Sequence, residues 1–246
     1  MMRMKKIKRF IRHAQIVVLD LLYRGRPYRE FYTAVMRLGA RQDPRQAIGG
    51  LWDEIGLLQF RFLQRQGLQP HHSLLDIGCG SLRGGLHFIR YLDYGNYTGI
   101  DISPEILAAA GDNLNDLKLG NKNARLVRVN DLCFSELEGK KFDFLLAQSV
   151  FTHMPAEDVE ECLQHISNVM HPQSSLYATI HESVSYKKRD LKNFTYTLSW
   201  FEECCSRYGL VCKREPAYRH PRGQVMLRIA FSAAVLHPSG GEIDKE

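Results

Sequence analysis

No apolar run in these 246 residues approaches the roughly 20 needed to cross a membrane as a helix. The longest early candidate, Ile16-Val17-Val18-Leu19, is cut by Asp20 and is also too short for a signal-peptide core. The six cysteines (Cys79, Cys133, Cys162, Cys204, Cys205 and Cys212) show no Cys-x-x-Cys spacing. That argues against a zinc site or a disulfide framework, and for reduced thiols in a cytoplasmic protein. Internal repeats and low-complexity tracts are missing as well. A broad surplus of charge is missing too. Lys and Arg number 33 against 27 Asp and Glu, yet Arg3, Lys5, Lys6, Lys8, Arg9 and Arg12 all precede the first acid, Asp20. They account for the whole formal excess of six, so the remainder is neutral. A nucleic-acid partner wants a basic patch on the folded surface, and none is expected.

What is present is a regular alternation of strand and helix signals. Residues 1–24 read as a basic amphipathic helix, with Ile7, Phe10 and Ile11 on an apolar face and Gly25 and Pro27 at its end. It is read either as a solvated helix capping the domain or as a peripheral membrane contact, the second making the protein membrane-associated. Another helical segment follows over 28–48, with an Arg-rich turn around Asp43-Pro44. Residues 1–50 are therefore expected to be a helical extension, 51–236 the main domain and 237–246 a polar tail. Within the domain, buried strands are predicted at 73–77, 97–100, 125–129, 142–147, 176–180, 210–213 and 225–231. Helices separate all but the last two, which should pair as an antiparallel, hairpin-like edge. The expected fold is α/β: a Rossmann-like, mostly parallel seven-stranded sheet with an antiparallel edge strand, covered on both faces.

Chemistry concentrates where strands end. Leu74-Leu75-Asp76-Ile77-Gly78-Cys79-Gly80 is a strand running into Gly-x-Gly, where the backbone can approach a ligand closely. A dinucleotide fingerprint would place a third glycine where Arg83 stands, so a nicotinamide-dependent oxidoreductase is the weaker reading. Asp76 would repel a pyrophosphate but suits an aminoacyl ammonium or loop amides. Asp101 ends the next strand, about twenty residues on, where an acid can accept both hydrogen bonds of a ribose diol. Ser103 and Pro104 supply the cap and first turn of the following helix, which leaves Asp101 free for that task.

Asp76-x-Gly78-x-Gly80 resembles motif I of the class I S-adenosylmethionine methyltransferases, and by strand order the likeness covers roughly residues 51–231. It implies S-adenosylmethionine as cofactor, held by Asp76, Gly78, Cys79, Gly80, Arg83, Asp101 and Ile102. Asn130, Asp131 and Leu132, after the third strand, would meet the adenine; Gln148 and Ser149, after the fourth, would lie beside the methyl group. Leu82 stands where many members carry a further glycine. The segment Ala147-Gln148-Ser149-Val150-Phe151-Thr152-His153-Met154 is not the Asp/Asn-Pro-Pro-aromatic form of nucleobase amino-methyltransferases, nor does it hold the paired glutamates of arginine methyltransferases.

The expected reaction is methylation of a hydroxyl on a small molecule or glycan. An alcohol must lose its proton, for which His153 is the first candidate base and His181 with Glu182 the second. A divalent ion held by those three is the alternative, though no spacing demands one. Tyr218, His220 and Arg222, in the loop between the last two strands, are expected to grip the acceptor. Gln59 is a further cofactor candidate, whereas Phe60 reads as core. The competing readings are an N-methyltransferase acting on a small amine or nucleic acid, and a cofactor-binding regulator without turnover.

Overall fold

The computed structural model describes residues 2–137 and 139–232; the expected polar tail at 237–246 lies outside them. Its centre is a seven-stranded sheet of β1 (Leu74–Ile77), β2 (Tyr97–Asp101), β3 (Arg125–Arg128), β4 (Phe142–Ala147), β5 (Met170–Ile180), β8 (Leu210–Glu215) and β9 (Val225–Phe231). The spatial order is β3-β2-β1-β4-β5-β9-β8. Neighbours from β3 to β5 run parallel, while β9 runs antiparallel to both β5 and β8. The strand that reverses direction is thus the penultimate one, and β8 forms the edge.

The crossovers are α5 (Gly85–Tyr91), α6 (Pro104–Asp116) and α7 (Ala156–His165), with α8 (Leu198–Arg207) ahead of β8. Ser103 caps α6, its hydroxyl accepting from the Ile106 amide, and Pro104 opens the first turn. Successive strand residues point to opposite faces, and the core divides accordingly. Leu75, Ile77, Leu145 and Leu176 pack with Val159, Cys162 and Phe201 on one side. Leu74, Leu146 and Tyr177 pack with Phe62, Phe88 and Ile89 on the other. Strand order reverses between β1 and β4, and the crevice beyond their carboxyl ends is where an open α/β sheet receives its ligand.

The first fifty residues do not stand apart. Helix α1 (Met2–Leu22) lies on α2 (Tyr28–Gln42) through Ile16, Phe31 and Val35, with Leu191 against them. Short α3 (Pro44–Ala47) is capped by Asp43, which accepts from the Arg45 and Gln46 amides. Met36, Ala40 and Ala47 bury Ile106 of α6, fastening this layer to the domain. Helix α4 (Trp52–Arg65) then leads to β1. Two strands escaped the sequence reading: β6 (Lys187–Asp190) and β7 (Asn193–Thr195), a separate hairpin joined by Leu191-Lys192. Exposed Lys187, Lys188, Arg189 and Asp190 give β6 no apolar alternation to detect. Strand β5 also starts six residues earlier than expected, because its first part, His171-Pro172-Gln173, is polar and outward-facing.

Candidate active site

Where the sheet order reverses, a cavity of about 630 Å³ opens beyond the strand ends. Asp76, Gly78, Cys79, Gly80, Arg83, Asp101, Ile102, Asn130, Asp131, Leu132, Gln148 and Ser149 all line it, as do Gln59, His153, His181 and Arg222. Among these, residues as far as 163 positions apart in sequence share one cavity. Glycine is required at the turn: Gly78 has φ +66°, and a Cβ there would stand 2.6 Å from Val150 Cγ2. Gly80, at φ +60°, would drive a Cβ to 2.9 Å from Ile48 Cγ2. Leu82 also adopts φ +70°, a conformation glycine enters without cost. Its completely buried side chain, packed among Cys79, Leu86 and Tyr97, compensates.

Two carboxylates lie at the floor without a cation in ion-pair reach among the described residues. Asp76 accepts from the Tyr97 hydroxyl at 2.7 Å, and burial, the largest influence, pushes its pKa up to about 7. Asp101 accepts from the Gly80 amide through Oδ2 at 3.1 Å and from the Ser103 amide through Oδ1 at 2.9 Å. Burial raises it to about 6 against the opposing pull of these amides. Each oxygen keeps acceptor capacity toward the cavity, since a carboxylate offers about four lone-pair sites. The chemistry still missing is positive charge and hydroxyl donors.

Arg83 does not meet those acids. Its guanidinium donates to the Ile48 and Gly50 carbonyls at 3.1 and 2.9 Å, tying the segment after α3 across the cavity wall. Asp131 accepts from the Cys133 amide and the Ser135 hydroxyl, and so closes its own turn while lining the cavity. Gln148 donates to Ser149 Oγ and Gln224 Oε1, both at 3.0 Å, and the Ser149 amide donates to Thr179 Oγ1.

At the other end of the cavity stands His153, in a 3₁₀ turn (Phe151–His153) after β4. Its Nδ1 lies 2.8 Å from the Lys192 carbonyl, in the turn of the β6–β7 hairpin. A carbonyl only accepts, so Nδ1 carries the proton and Nε2 keeps its lone pair. Burial, with a smaller contribution from the nearby Lys192 charge, lowers this histidine to about 4, so it is neutral near pH 7. Tyr32 stacks on the ring at 5.6 Å between centroids. His181 lines the same region, its pKa lowered by burial and then by Arg189.

Three of the expected site residues are not brought to the cavity lining. Glu182 does not line the cavity; it forms a 3.2 Å ion pair with Arg214 of β8. The His153, His181 and Glu182 trio therefore does not converge. Tyr218 and His220 also lie outside the lining. Both are buried: Tyr218 donates to Gln148 Oε1, and His220 Nδ1 accepts from the Arg222 amide. They support the polar wall from behind, because the β8–β9 loop folds inward. Arg222 does line the cavity and donates to the Gly49 carbonyl. The residues missed were those of the roof: Arg12, Tyr28, Arg29, Tyr32, Arg189 and Lys192. Only the cationic, aromatic make-up of 28–32 hinted at them.

The family described as a methyltransferase domain matches residues 75–176, which span β1 to β5 and contain both acids and His153. Residues 75–176, about two fifths of the chain, are thus similar to a methyltransferase domain. Among solved structures, magnesium protoporphyrin IX methyltransferase (ChlM) from Synechocystis PCC 6803 with bound SAM is 17% identical. The likeness covers 72% of this chain and 81% of that one, at a TM-score of 0.56. Glycopeptide N-methyltransferase MtfA complexed with S-adenosyl-L-homocysteine is 12% identical over 72% of this chain and 90% of that one, at a TM-score of 0.59. At these identities the likeness concerns the fold. The methyl donor of such domains is S-adenosylmethionine, and the residues present fit it. The buried acids have no cation in ion-pair reach among the described residues, which suits the positive charge that its ammonium and sulfonium bring.

Proposed function

We propose that the protein transfers the methyl group of S-adenosylmethionine to a hydroxyl of a small acceptor that carries an acidic group, with His153 as general base. The observation that carries this reading is the anchored, neutral imidazole at the roofed end of the methyltransferase cavity. In this reading Asp76 receives the ammonium group, Asp101 the ribose hydroxyls, and Asn130, Asp131 and Leu132 the adenine. Cys79 and Ile102 shape the walls, Gln148 and Ser149 border the reacting centre, and Arg83 holds the wall closed.

The bound donor supplies an electrophilic sulfonium methyl, so the protein's work is alignment, exclusion of water and removal of one proton. His153 Nε2 accepts the acceptor's hydroxyl proton while Nδ1–H keeps the ring fixed on the Lys192 carbonyl. Asp190 favours the resulting imidazolium. A positioned base contributes about 10²–10⁴-fold. Tyr32 and the hairpin turn close over the ring and keep bulk water from it. Arg12, Arg189 and Lys192 line this end with Asp190, and among the described residues their side chains form no ion pair; this surplus of positive charge supports an acidic substituent on the acceptor. Lys192 is half-buried, and its pKa is lowered by burial and by Arg12. A bound anion would relieve both.

Methyl-labelled cofactor incubated with the protein and fractionated cell extract tests the reading. A labelled product that carries the methyl on oxygen as an ether, retained on an anion exchanger, is the expected result. His153→Ala should lower its formation at least tenfold and leave cofactor affinity unchanged. An N-methylated product, or full turnover by that variant, would overturn the assignment.

A further inference from the structure

Helix α1 has two apolar faces, and the fold uses one. Ile16 is buried and Leu19 and Tyr23 are packed against Phe31, Val35 and Leu191. On the other side Phe10, Ile11, Ala14, Val17, Val18, Leu21 and Leu22 are all exposed, Phe10 by 74% and Leu22 by 66%. At 100° per residue these seven positions fall within about 140° of arc, one continuous stripe. Six of the twelve large apolar side chains that the described residues leave exposed lie on it. Scattered exposed leucines are ordinary, whereas concentration on one helix face marks a contact surface.

Charge decides what it contacts. Five of the first nine residues are Lys or Arg, Arg12 follows, and Asp20 is the only acid in the helix. A second copy of the chain would bring a like-charged helix with no acids to answer it. The stripe also spans about two heptads, short of the three to four that sustain a coiled coil. An anionic bilayer answers both features at once: acyl chains for the stripe and lipid phosphates for the basic end. No described helix is long and apolar enough to cross a membrane, so the contact is parallel to the surface.

We propose that α1 docks the enzyme on anionic lipid bilayers through the Phe10–Leu22 stripe. Arg12, on the packed side of the same helix, lines the acceptor end of the cavity. Docking and acceptor capture therefore meet on one element, and the contact does not depend on the proposed reaction.

Co-sedimentation of the full chain with vesicles tests this directly. The protein should pellet with vesicles of equal phosphatidylglycerol and phosphatidylcholine, and stay in solution with phosphatidylcholine alone. A triple variant, Phe10→Ser, Val18→Ser and Leu21→Ser, should lower partitioning at least tenfold. The variant Lys5→Gln, Lys6→Gln and Lys8→Gln should lower it comparably at low salt. Circular dichroism and cofactor binding confirm that each variant is folded; Phe10, Val18 and Leu21 do not line the cavity. No pelleting of the wild type, or wild-type pelleting by the serine variant, would overturn the proposal. So would a dimer in sedimentation equilibrium that the serine variant dissolves without any vesicle binding by the parent.

Discussion

Cofactor binding should expel about one proton at pH 6.5. Burial leaves Asp76 at about 7 and Asp101 at about 6. At pH 6.5 the free protein therefore holds about 0.8 of a proton on the first and about 0.2 on the second. An opposite charge within about 4–6 Å lowers a carboxylate pKa by about 1–3, so a ligand presenting an ammonium group at Asp76 ionises both acids. At pH 8.5 only about 0.03 of a proton remains to be lost. Affinity should accordingly be about fivefold weaker at pH 6.5 than at pH 8.5, near 1 kcal/mol. Calorimetric titration of S-adenosylmethionine and S-adenosylhomocysteine in buffers of different ionisation enthalpy reads the proton count directly. Asp76→Asn should cut the release at pH 6.5 to about 0.2. Without ligand the sign reverses for stability. Both folded pKa values exceed the unfolded 3.8, so these acids favour folding least once ionised, and their contribution is lost as pH rises from about 4 to 7. Zero proton release at pH 6.5, or release unchanged by Asp76→Asn, would refute the placement of the ligand's cation.

Other expectations concern single residues. Leu82→Gly relieves a left-handed leucine, roughly 1–2 kcal/mol, yet empties a fully buried site, where truncation of leucine to alanine costs about 2–5 kcal/mol. Denaturant unfolding should show a net loss of about 1–3 kcal/mol, and equal or higher stability would contradict the account. Gly78→Ala places a methyl against Val150 at φ +66°, so cofactor affinity by calorimetry should fall at least tenfold, and Val150→Ala should restore part of it. Because His153 titrates near 4, kcat should be flat from pH 6 to 8 and fall only toward pH 5 and below; a titration near 6.5 would show an imidazole not buried as described. Glu182→Gln, which touches only the Arg214 ion pair, should keep turnover within about twofold of wild type.

The legible parts of the site are those written in consecutive residues. A strand, a glycine turn and a helix are local events, so Asp76, Gly78, Gly80 and Asp101 announced themselves by spacing, and strand order followed from alternation. The illegible parts depend on which way a loop folds. Nothing local told that the β8–β9 loop turns Tyr218 and His220 inward behind Gln148, or that Glu182 would face Arg214 while its neighbour His181 faces the cavity. His153 shows the two cases joined. Its place at the end of β4 was readable, but its tautomer comes from the Lys192 carbonyl, in a hairpin whose charged first strand carries no apolar rhythm. That hairpin is held in turn by Leu191 against Ile16, Phe31 and Val35. The first fifty residues, read as an extension, thus fix the element that fixes the candidate base. Loosening the α1–α2 layer should therefore disturb the acceptor end before it disturbs the donor end. A Phe31→Ala variant that lowers turnover while Asp101 and the glycine turn still bind cofactor at full strength would separate the two.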